Sequence, residues 1–395
     1  MSSIENRILR NIDQQYTVRL LRDLVRIPSD FPNYGEVASF VKDEMKAYGL
    51  RVREASDGGK DWVRPHVLGA YAGSGKGPRL LLMAHTDVVP SGDPSLWRYP
   101  PFSAEVVGNT IYGRGAADTK GSLAAMMSAV KAVVNADVRL VGDVELVAWA
   151  GDEYKPPDTK YYDGTSFLAL NDIIKGDMAI LGEPYDLKIT YMCNGRIWLD
   201  FEVAGETAHP GTGRGINAIR ESMKLVDAIY NTEFDPVFKS VTHVAYVRGG
   251  ADTRFAPVPD LCNFRMSVYC PISTKEIEDR VRQTVEKAQR LNPNLKLKSM
   301  RVVDRREMFS FPRESKLFSS MEKAGKHLGM ELAYGPGVSL GDVPQWKDRV
   351  GLSAACLFGP GKTEEAHTVN EHIQIPDVMA AAKILALTVP YVCGC

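Results

Sequence analysis

Histidine and carboxylate side chains stand at the ends of short apolar runs in this chain. His85 ends the run LLLMAH, Asp152 and Glu153 follow VELVAWAG, and Glu183 follows AILG. Short apolar runs are typical of buried strands, so these side chains are predicted to lie at strand ends. Imidazole and carboxylate groups together suit Zn²⁺, Mn²⁺ or Co²⁺ in an open site. The pattern therefore predicts a metal centre, and hydrolysis is the chemistry that such a centre supports.

Three further residues belong to the candidate site. Asp87 lies two positions after His85, so in an extended segment its carboxylate is predicted to accept the second ring N–H of His85. Asp118 lies in the glycine-flanked loop GRGAADTKG, where it could bridge two metals or cap the following helix. His367 lies in EEAHTVNEHI. Singly each has a structural explanation, but together they predict metal ligands at His85, Asp118, Glu153, Glu183 and His367.

The composition is that of a soluble globular protein with two or three domains. Of 395 residues, 44% are hydrophobic and 25% are charged, with a net charge of −1. The even charge distribution argues against nucleic acid or a membrane surface as a partner and favours a small-molecule substrate. The N-terminal pattern is a charged amphipathic helix without the apolar centre of a signal peptide, and no transmembrane helix is expected.

The six cysteines are scattered and lack the spacing of a zinc finger. Without an export signal, they are expected to be reduced thiols of a cytoplasmic protein. Cys393 and Cys395 are expected to form an exposed tail.

The elements that must position the candidate ligands follow two patterns. Over the first 185 residues, helix and strand patterns alternate, which predicts a mainly parallel sheet covered by helices. The predicted helices are 4–25, 36–48 and 120–134, and the predicted strands are 79–84, 144–150 and 178–181.

The second pattern begins after Pro184 and has the order β, helix, β, β, helix, β, which is typical of a ferredoxin-like α+β module. Its strands are predicted at 188–203, 241–247, 261–269 and 295–303, and its helices at 215–230 and 274–291. The α/β pattern then returns, with helices near 314–328 and 376–389. We therefore predict an α/β metal-binding domain, 1–187 and 304–395, with an inserted lid domain, 188–303.

Several motifs resemble the aminoacylase/glutamate-carboxypeptidase family of metallopeptidases, which includes acetylornithine deacetylase and succinyl-diaminopimelate desuccinylase. The motifs, in order, are HTDVVP at 85–90, WRYPPFSAEVVGNTIYGRGAADTKGSLAAM at 97–126, LGEP at 181–184, GETAHPGTGRGINAI at 205–219 and AHTVNEHI at 366–373. The resemblance covers nearly the whole chain. It implies a metal-binding domain with an inserted dimerisation lid, in agreement with the organisation predicted above.

The resemblance also implies roles for the candidate residues. His85 and Glu183 would hold one metal, Glu153 and His367 the other, and Asp118 would bridge both. Zinc is the first expectation, with manganese or cobalt as alternatives, and one or two ions could be bound. His209, in the inserted domain, would reach the site of a partner subunit and stabilise an oxyanion, which implies a homodimer. The structural alternative for His209 is a turn residue beside Pro210.

The chain departs from the family at the end of the third strand. The family has two glutamates there, a general base followed by a ligand, whereas this chain has Gly151, Asp152, Glu153 and Tyr154. One alignment makes Asp152 the base and Glu153 the ligand. The other makes Glu153 the base and places Tyr154 at the ligand position, which would favour a single metal.

The lid also departs from the family. Ala256 and Tyr269 stand where the family carries an asparagine and an arginine that recognise the substrate. Arg254 and Arg265 are nearby and could replace them.

Taken together, the sequence predicts metal-assisted hydrolysis of an amide bond in a small substrate such as an N-acyl amino acid or a dipeptide. Asp87, Asp152 and His209 are the predicted catalytic residues. Two alternatives remain at this point: a deaminating hydrolase of an amidine or aryl amine, and a non-catalytic homologue that binds a ligand.

Overall fold

The computed structural model describes residues 3–395 with the exception of 155, 157, 159, 162, 253–255 and 338–342. The chain forms two compact units. Unit 1 takes in the described residues of Met1–Tyr191, Phe311–Gly335 and Leu340–Cys395, and unit 2 those of Met192–Ser310 and Pro336–Ser339. The domain limits predicted from the sequence, 188 and 303, precede the limits of unit 2 by a few residues and stay predictions.

The described residues form helices and strands with the following bounds. The helices are α1 Ile4–Arg10, α2 Gln14–Arg26, α3 Gly35–Ala47, α4 Gly121–Asn135, α5 Gly164–Leu170, α6 Ala218–Tyr230, α7 Thr274–Leu291, α8 Lys316–His327, α9 Val343–Val350 and α10 Ile375–Cys393. The strands are β1 Arg51–Gly58, β2 Val63–Tyr71, β3 Leu80–His85, β4 Glu105–Val107, β5 Thr110–Tyr112, β6 Val144–Trp149, β7 Met178–Leu181, β8 Ile189–Cys193, β9 Gly195–Ala204, β10 Val241–Gly249, β11 Leu261–Cys270, β12 Lys296–Arg306, β13 Phe309–Ser310, β14 Tyr334–Gly337, β15 Ala354–Leu357 and β16 His372–Gln374.

The large sheet has the strand order β1-β2-β6-β3-β7-β15-β8-β13, with β14 beside β8. Its central strands β6, β3, β7 and β15 are parallel, and the strands on either side of them are antiparallel. Every residue of the four central strands is buried, as expected of parallel strands covered on both faces. A separate three-stranded sheet has the order β16-β5-β4.

Two apolar helices, α4 and α10, pack against each other in unit 1. Both are rich in alanine, whose small side chain lets helix backbones approach closely, and most of their residues are buried. By length and composition α10 could cross a membrane, but most of it is buried in the core, as is common for a central helix. The absence of a transmembrane helix therefore stays a prediction.

Unit 2 contains the four-stranded antiparallel sheet β10-β11-β9-β12. Together with α6 and α7, its chain order is β-α-β-β-α-β, the ferredoxin-like arrangement. In β9 burial alternates along the whole strand, so one face packs on the helices. Phe201 and Phe264 stack in this core with ring centroids 4.6 Å apart. The predicted fold class, an α/β domain with a mainly parallel sheet plus an inserted ferredoxin-like α+β domain, is confirmed.

Three sequence predictions differ from the structure. The helix predicted at 4–25 is interrupted, because Asp13 caps a new helix through the main-chain N–H groups of Gln15 and Tyr16. The strand predicted at 188–203 is two strands, which belong to different sheets and are separated at Asn194. Cys393 is buried at the end of α10, so the prediction of an exposed tail is wrong for it, although Cys395 is exposed.

Candidate metal centre

Four parallel strands of unit 1 lead into the loops that carry the candidate ligands. Because neighbouring parallel strands run in the same direction, their carboxyl ends meet at one edge of the sheet. His85 ends β3, Glu153 follows β6, Glu183 follows β7 and His367 lies in the loop after β15.

Five side chains form two groups that share Asp118. The first group is His85, Asp118 and Glu183, the second is Asp118, Glu153 and His367, and the donor atoms of each group lie within 4.8 Å of one another. Oδ1 of Asp118 lies 3.1 Å from Nε2 of His85, and Oδ2 lies 3.2 Å from Nε2 of His367. Oε1 of Glu153 lies 3.0 Å from the same His367 nitrogen. Asp118 thus presents one carboxylate oxygen to each histidine.

The electrostatics of the two groups favour bound positive charge. Burial raises the pKa of Glu183 well above its ordinary value, and the carboxylate of Asp118 adds to the rise. Burial alone would lower the pKa of His85, but its hydrogen bond with Asp118 and the surrounding acids hold that pKa well above the usual range. Hydrogen bonds with Asp118 and Glu153 raise the pKa of His367 to about 10. A divalent cation can replace the protons that these groups attract, because it binds to the same nitrogen and oxygen lone pairs. The set of donors therefore fits Zn²⁺, Mn²⁺ or Co²⁺.

Asp87 is buried beside the first group, but it plays a different structural part from the predicted one. Nδ1 of His85 lies 3.0 Å from the main-chain oxygen of Asp87 and 3.7 Å from its carboxylate. The carboxylate instead accepts hydrogen bonds from the main-chain N–H groups of Asp152 at 3.3 Å and Glu153 at 3.0 Å. The side chain of Asp87 therefore fixes the segment after β6, and its main-chain oxygen orients the imidazole.

Glu371 holds the turn that carries Asp118. It is fully buried, and its Oε1 accepts from the main-chain N–H groups of Ala117 at 2.9 Å and Asp118 at 3.0 Å. Its Oε2 accepts from Nη1 of Arg114 at 2.6 Å. Helix α4 is capped at Lys120 without a side-chain hydrogen bond, so Asp118 does not cap it. Glu371 has no predicted role, although its place between His367 and β16 is a signal that it returns to this site.

His367 has a backbone conformation that non-glycine residues rarely adopt. Its φ is 62°, and Asn370 in the same loop has a φ of 64°. The side-chain amide oxygen of Asn370 accepts from the main-chain N–H of Arg98, which ties the loop down. Left-handed residues of this kind cluster at functional sites, where the surrounding structure maintains them.

Asp152 belongs to neither group of ligands. Desolvation of its carboxyl group by the surrounding protein raises its pKa to about 8, and the carboxylates of Asp163, Asp87 and Glu153 contribute to the rise. The residue nevertheless keeps solvent-exposed surface. It is therefore an acid beside the candidate ligands that remains accessible from outside.

The sequence profile of peptidase family M20/M25/M40 matches residues 81–390, which is most of the chain. The chain belongs to this family. The resemblance predicted from the motifs is confirmed, as is the prediction of a hydrolytic enzyme that acts on C–N amide bonds. The family is metal-dependent, in agreement with the two groups of donors.

Similar proteins in and around the M20 family act on different compounds. The chain is 25% identical, over 97% of its length and 96% of the relative, to N-formyl-4-amino-5-aminomethyl-2-methylpyrimidine deformylase of Halalkalibacterium halodurans. Among solved structures, human carnosine dipeptidase 1 is 16% identical and covers all of both chains with a TM-score of 0.71. A hydantoinase/carbamoylase family amidase of Burkholderia ambifaria is 14% identical, covering 100% of this chain and 98% of its own, with a TM-score of 0.72. The structural similarities show the fold alone.

His209 lies in unit 2, in the segment that precedes α6. Its side chain is exposed, and Nδ1 accepts a hydrogen bond of 3.2 Å from the main-chain N–H of Gly211. Because Nδ1 accepts, a neutral ring carries its proton on Nε2. Its action in a partner subunit stays a prediction.

The arginines proposed to replace the usual lid residues have different outcomes. Arg254 lies outside the described residues. Arg265 donates to both carboxylate oxygens of Asp200, at 2.6 Å from Nε and 2.9 Å from Nη2, and Arg301 donates to the same acid at 3.3 Å. The hydrogen bond from Arg265 is the main cause of the lowered pKa of Asp200. Arg265 is therefore already paired, and substrate recognition would have to break a bidentate ion pair.

Proposed function

We propose that this M20-family enzyme hydrolyses the amide bond of a small N-acylated amine at a centre of two divalent cations. His85 and Glu183 would hold one cation, Glu153 and His367 the other, and Asp118 both. The observation that carries this proposal is the orientation of Asp118, whose two oxygens face histidines of different groups. If Asp118 served only to balance the charge of one histidine, contact with that histidine alone would be enough.

Zinc is the proposed metal, and manganese or cobalt would suit the same nitrogen and oxygen donors. When bound, the cations would lower the pKa of a water molecule towards neutrality and polarise the carbonyl oxygen of the substrate.

Asp152 is the proposed general base. Glu153 is engaged with His367, and the ring of Tyr154 packs against Phe31 with centroids 4.6 Å apart. This arrangement supports the alignment in which Glu153 is the ligand and Tyr154 is not. The main-chain hydrogen bonds from Asp152 and Glu153 to Asp87 hold the base and the ligand in a fixed relation. Asp152 would take a proton from the attacking water and later give it to the leaving amine.

The proposed substrate is an amine that carries a small acyl group, such as formyl or acetyl, and that lacks a carboxylate next to the amide. Ala256 and Tyr269 provide no positive charge where the family recognises a carboxylate, and Arg265 is paired with Asp200. The relative from Halalkalibacterium halodurans is named as a deformylase of an aminomethylpyrimidine, which fits such a substrate. N-acyl amino acids and dipeptides, the substrates predicted from the sequence, are the compounds with which such amines should be compared.

A deaminating hydrolase of an amidine or aryl amine is the second candidate. It is favoured by the aspartate at the base position, which is one methylene shorter than the family's glutamate. The two candidates differ in product, because only deamination releases ammonia without a carboxylic acid.

We also propose that the active form is a homodimer in which His209 stabilises the oxyanion formed in the partner's site. The motif that carries His209 and its exposed ring support this role. The cations and His209 would share the developing negative charge, which would lower the barrier more than either would alone.

The test is an assay of the chelated protein after Zn²⁺, Mn²⁺ or Co²⁺ is added back singly. The panel contains N-formyl and N-acetyl amines, N-acyl amino acids, dipeptides and aryl amines, and free amine, formate, acetate and ammonia are measured. Release of amine and formate or acetate in equal amounts is the expected result. Release of ammonia without formate, acetate or another carboxylic acid would replace the first candidate with the second.

A further inference from the structure

An aromatic cluster adjoins the segment that carries Glu153. Its members are Phe31, Tyr34, Trp62 and Tyr154. Phe31 is its centre, with ring centroids 4.6 Å from Tyr154, 6.0 Å from Trp62 and 6.1 Å from Tyr34. These separations are within the range at which aromatic rings attract one another.

The cluster runs from the core to the surface. Tyr34 is 1% exposed and Trp62 is 8% exposed, whereas Tyr154 is 44% exposed. Nε1 of Trp62 donates to Oδ1 of Asp158 at 2.9 Å, which fixes the indole ring. The outermost ring therefore rests on a rigid support, and much of its surface is free.

Two anchors place this cluster beside the candidate metal centre. Tyr154 follows Glu153 directly, so their Cα atoms are about 3.8 Å apart, and the main-chain N–H of Glu153 is held by Asp87. The loop of Phe31 is tied to the segment that follows His85, because the hydroxyl of Ser29 donates to the main-chain oxygen of Thr86 at 2.7 Å. Thr86 is the residue after His85.

The ring of Tyr154 covers Phe31 with only part of its surface and leaves 44% of the residue exposed. Exposed aromatic side chains near candidate metal ligands are typical of a ligand pocket, which is lined mainly by apolar and aromatic groups. Aromatic contact area also loses little conformational entropy when a ligand binds, because the ring has few rotatable bonds.

We propose that Tyr154, supported by Phe31, is a specificity residue that stacks on a planar ring in the amine part of the substrate. This inference rests on the proposed function and names its substrate class: N-acylated amines whose amine carries an aromatic or heteroaromatic ring. The ring belongs to the amine part because a formyl or acetyl group is too small to reach past the metal centre.

The test compares two substrates of the same size, N-formylbenzylamine and N-formylcyclohexylmethylamine, with the metal-loaded full-length protein. The measured quantity is the ratio of their kcat/KM values. In the unaltered protein the ratio should favour the aromatic compound. Tyr154→Leu, which keeps apolar volume without a ring, should lower the ratio about tenfold, chiefly through the KM of the aromatic compound.

Three variants sharpen the comparison. Tyr154→Phe should keep the ratio, because the ring and not the hydroxyl makes the contact. Phe31→Leu should lower it by a smaller factor, since the supporting ring is lost. Tyr230→Ala, which removes a tyrosine of similar exposure from α6, should leave it unchanged.

An unchanged ratio in Tyr154→Leu would overturn the proposal, and so would an equal loss in Tyr154→Phe. Failure of the proposed function looks different, because then neither formamide would be hydrolysed by the unaltered protein with any of the three metals.

Discussion

Two buried carboxylates of unit 1 and one paired carboxylate of unit 2 are held in opposite ways. In unit 1, Glu371 and Asp87 are buried and accept hydrogen bonds from main-chain N–H groups. In unit 2, Asp200 pairs with Arg265 and Arg301, whose side chains are 36% and 73% exposed. Main-chain donors cannot move away without local unfolding, whereas exposed arginines can find water or another acid. A buried acid held by the main chain therefore marks the part of the molecule where geometry must be fixed.

We expect the largest losses of metal and activity when the candidate ligands in unit 1 are replaced. His85→Ala or His367→Ala should remove bound metal and activity together, because each residue gives a donor atom to one group around Asp118. Metal content by mass spectrometry and kcat/KM should fall in parallel. His243→Ala, in β10, is the control and should keep both. Full metal occupancy in both ligand variants would contradict the assignment.

Asp152→Asn should separate catalysis from metal binding. The variant should keep its metal and lose about 10² to 10⁴ in kcat, because it cannot accept the proton of the attacking water. Metal content and kcat are measured on the same sample. If Glu153→Gln instead keeps its metal and shows this loss, Glu153 is the base and the other alignment is correct.

His209 is an exposed residue of unit 2, yet His209→Ala is expected to have a large effect on catalysis. Loss of a donor to the oxyanion should lower kcat roughly 10²-fold while metal content and fold are kept. Mixing this variant with Asp152→Asn should restore part of the activity after subunit exchange, because some hybrid dimers contain one complete site. Confirmed exchange without any recovery would exclude action across subunits.

Glu371→Gln tests whether a buried acid fixes the centre without touching a metal. The amide nitrogen cannot accept from Arg114, so the turn before α4 should loosen and metal affinity should fall about 10- to 100-fold. Activity should return at high metal concentration. Glu365→Gln neutralises a more exposed acid of the same loop and should have little effect. Equal affinity in the two variants would argue against the positioning role.

The smallest effect is expected at the paired acid of unit 2. Asp200→Asn should change kcat/KM by less than about twofold and lower the unfolding free energy by about 1 kcal/mol or less, because both arginines of this pair keep contact with water. Urea unfolding and steady-state kinetics check both. A loss as large as that of Glu371→Gln would show that Arg265 needs Asp200 for substrate recognition.

Much of the candidate site could be predicted because its residues interrupt apolar runs. His85, Glu153 and Glu183 stand where buried strands end, and this signal is local. Glu371 could not be found in the same way, because its partners at Ala117 and Asp118 are main-chain groups far away in sequence. The sequence could not show which atom of Asp87 contacts His85. Residue spacing predicts on which side of a strand Asp87 lies, but it does not distinguish its main-chain oxygen from its carboxylate.

The fold was predictable where periodicity is strong, and less so where single residues decide. The strand 178–181 and the helix 274–291 agree with β7 and α7. The helix at 4–25 is interrupted by the cap at Asp13, which apolar spacing does not reveal. The antiparallel pair β1 and β2 was not predicted, because β1 is largely exposed and lacks an apolar run.

The order of the elements along the chain has a consequence for how the protein is made on the ribosome. His85, Asp118, Glu153 and Glu183 all precede unit 2, whereas β15, His367 and α10 follow it. Since chains emerge from the N-terminus, the first ligand group is synthesised early, but β7 lacks its neighbour β15 until the end. The second ligand group and the last strand of the parallel core must therefore arrive together. A nascent chain stalled after Arg306 would hold all three residues of the first ligand group and four of the five candidate ligands, yet it would still expose the edge of β7.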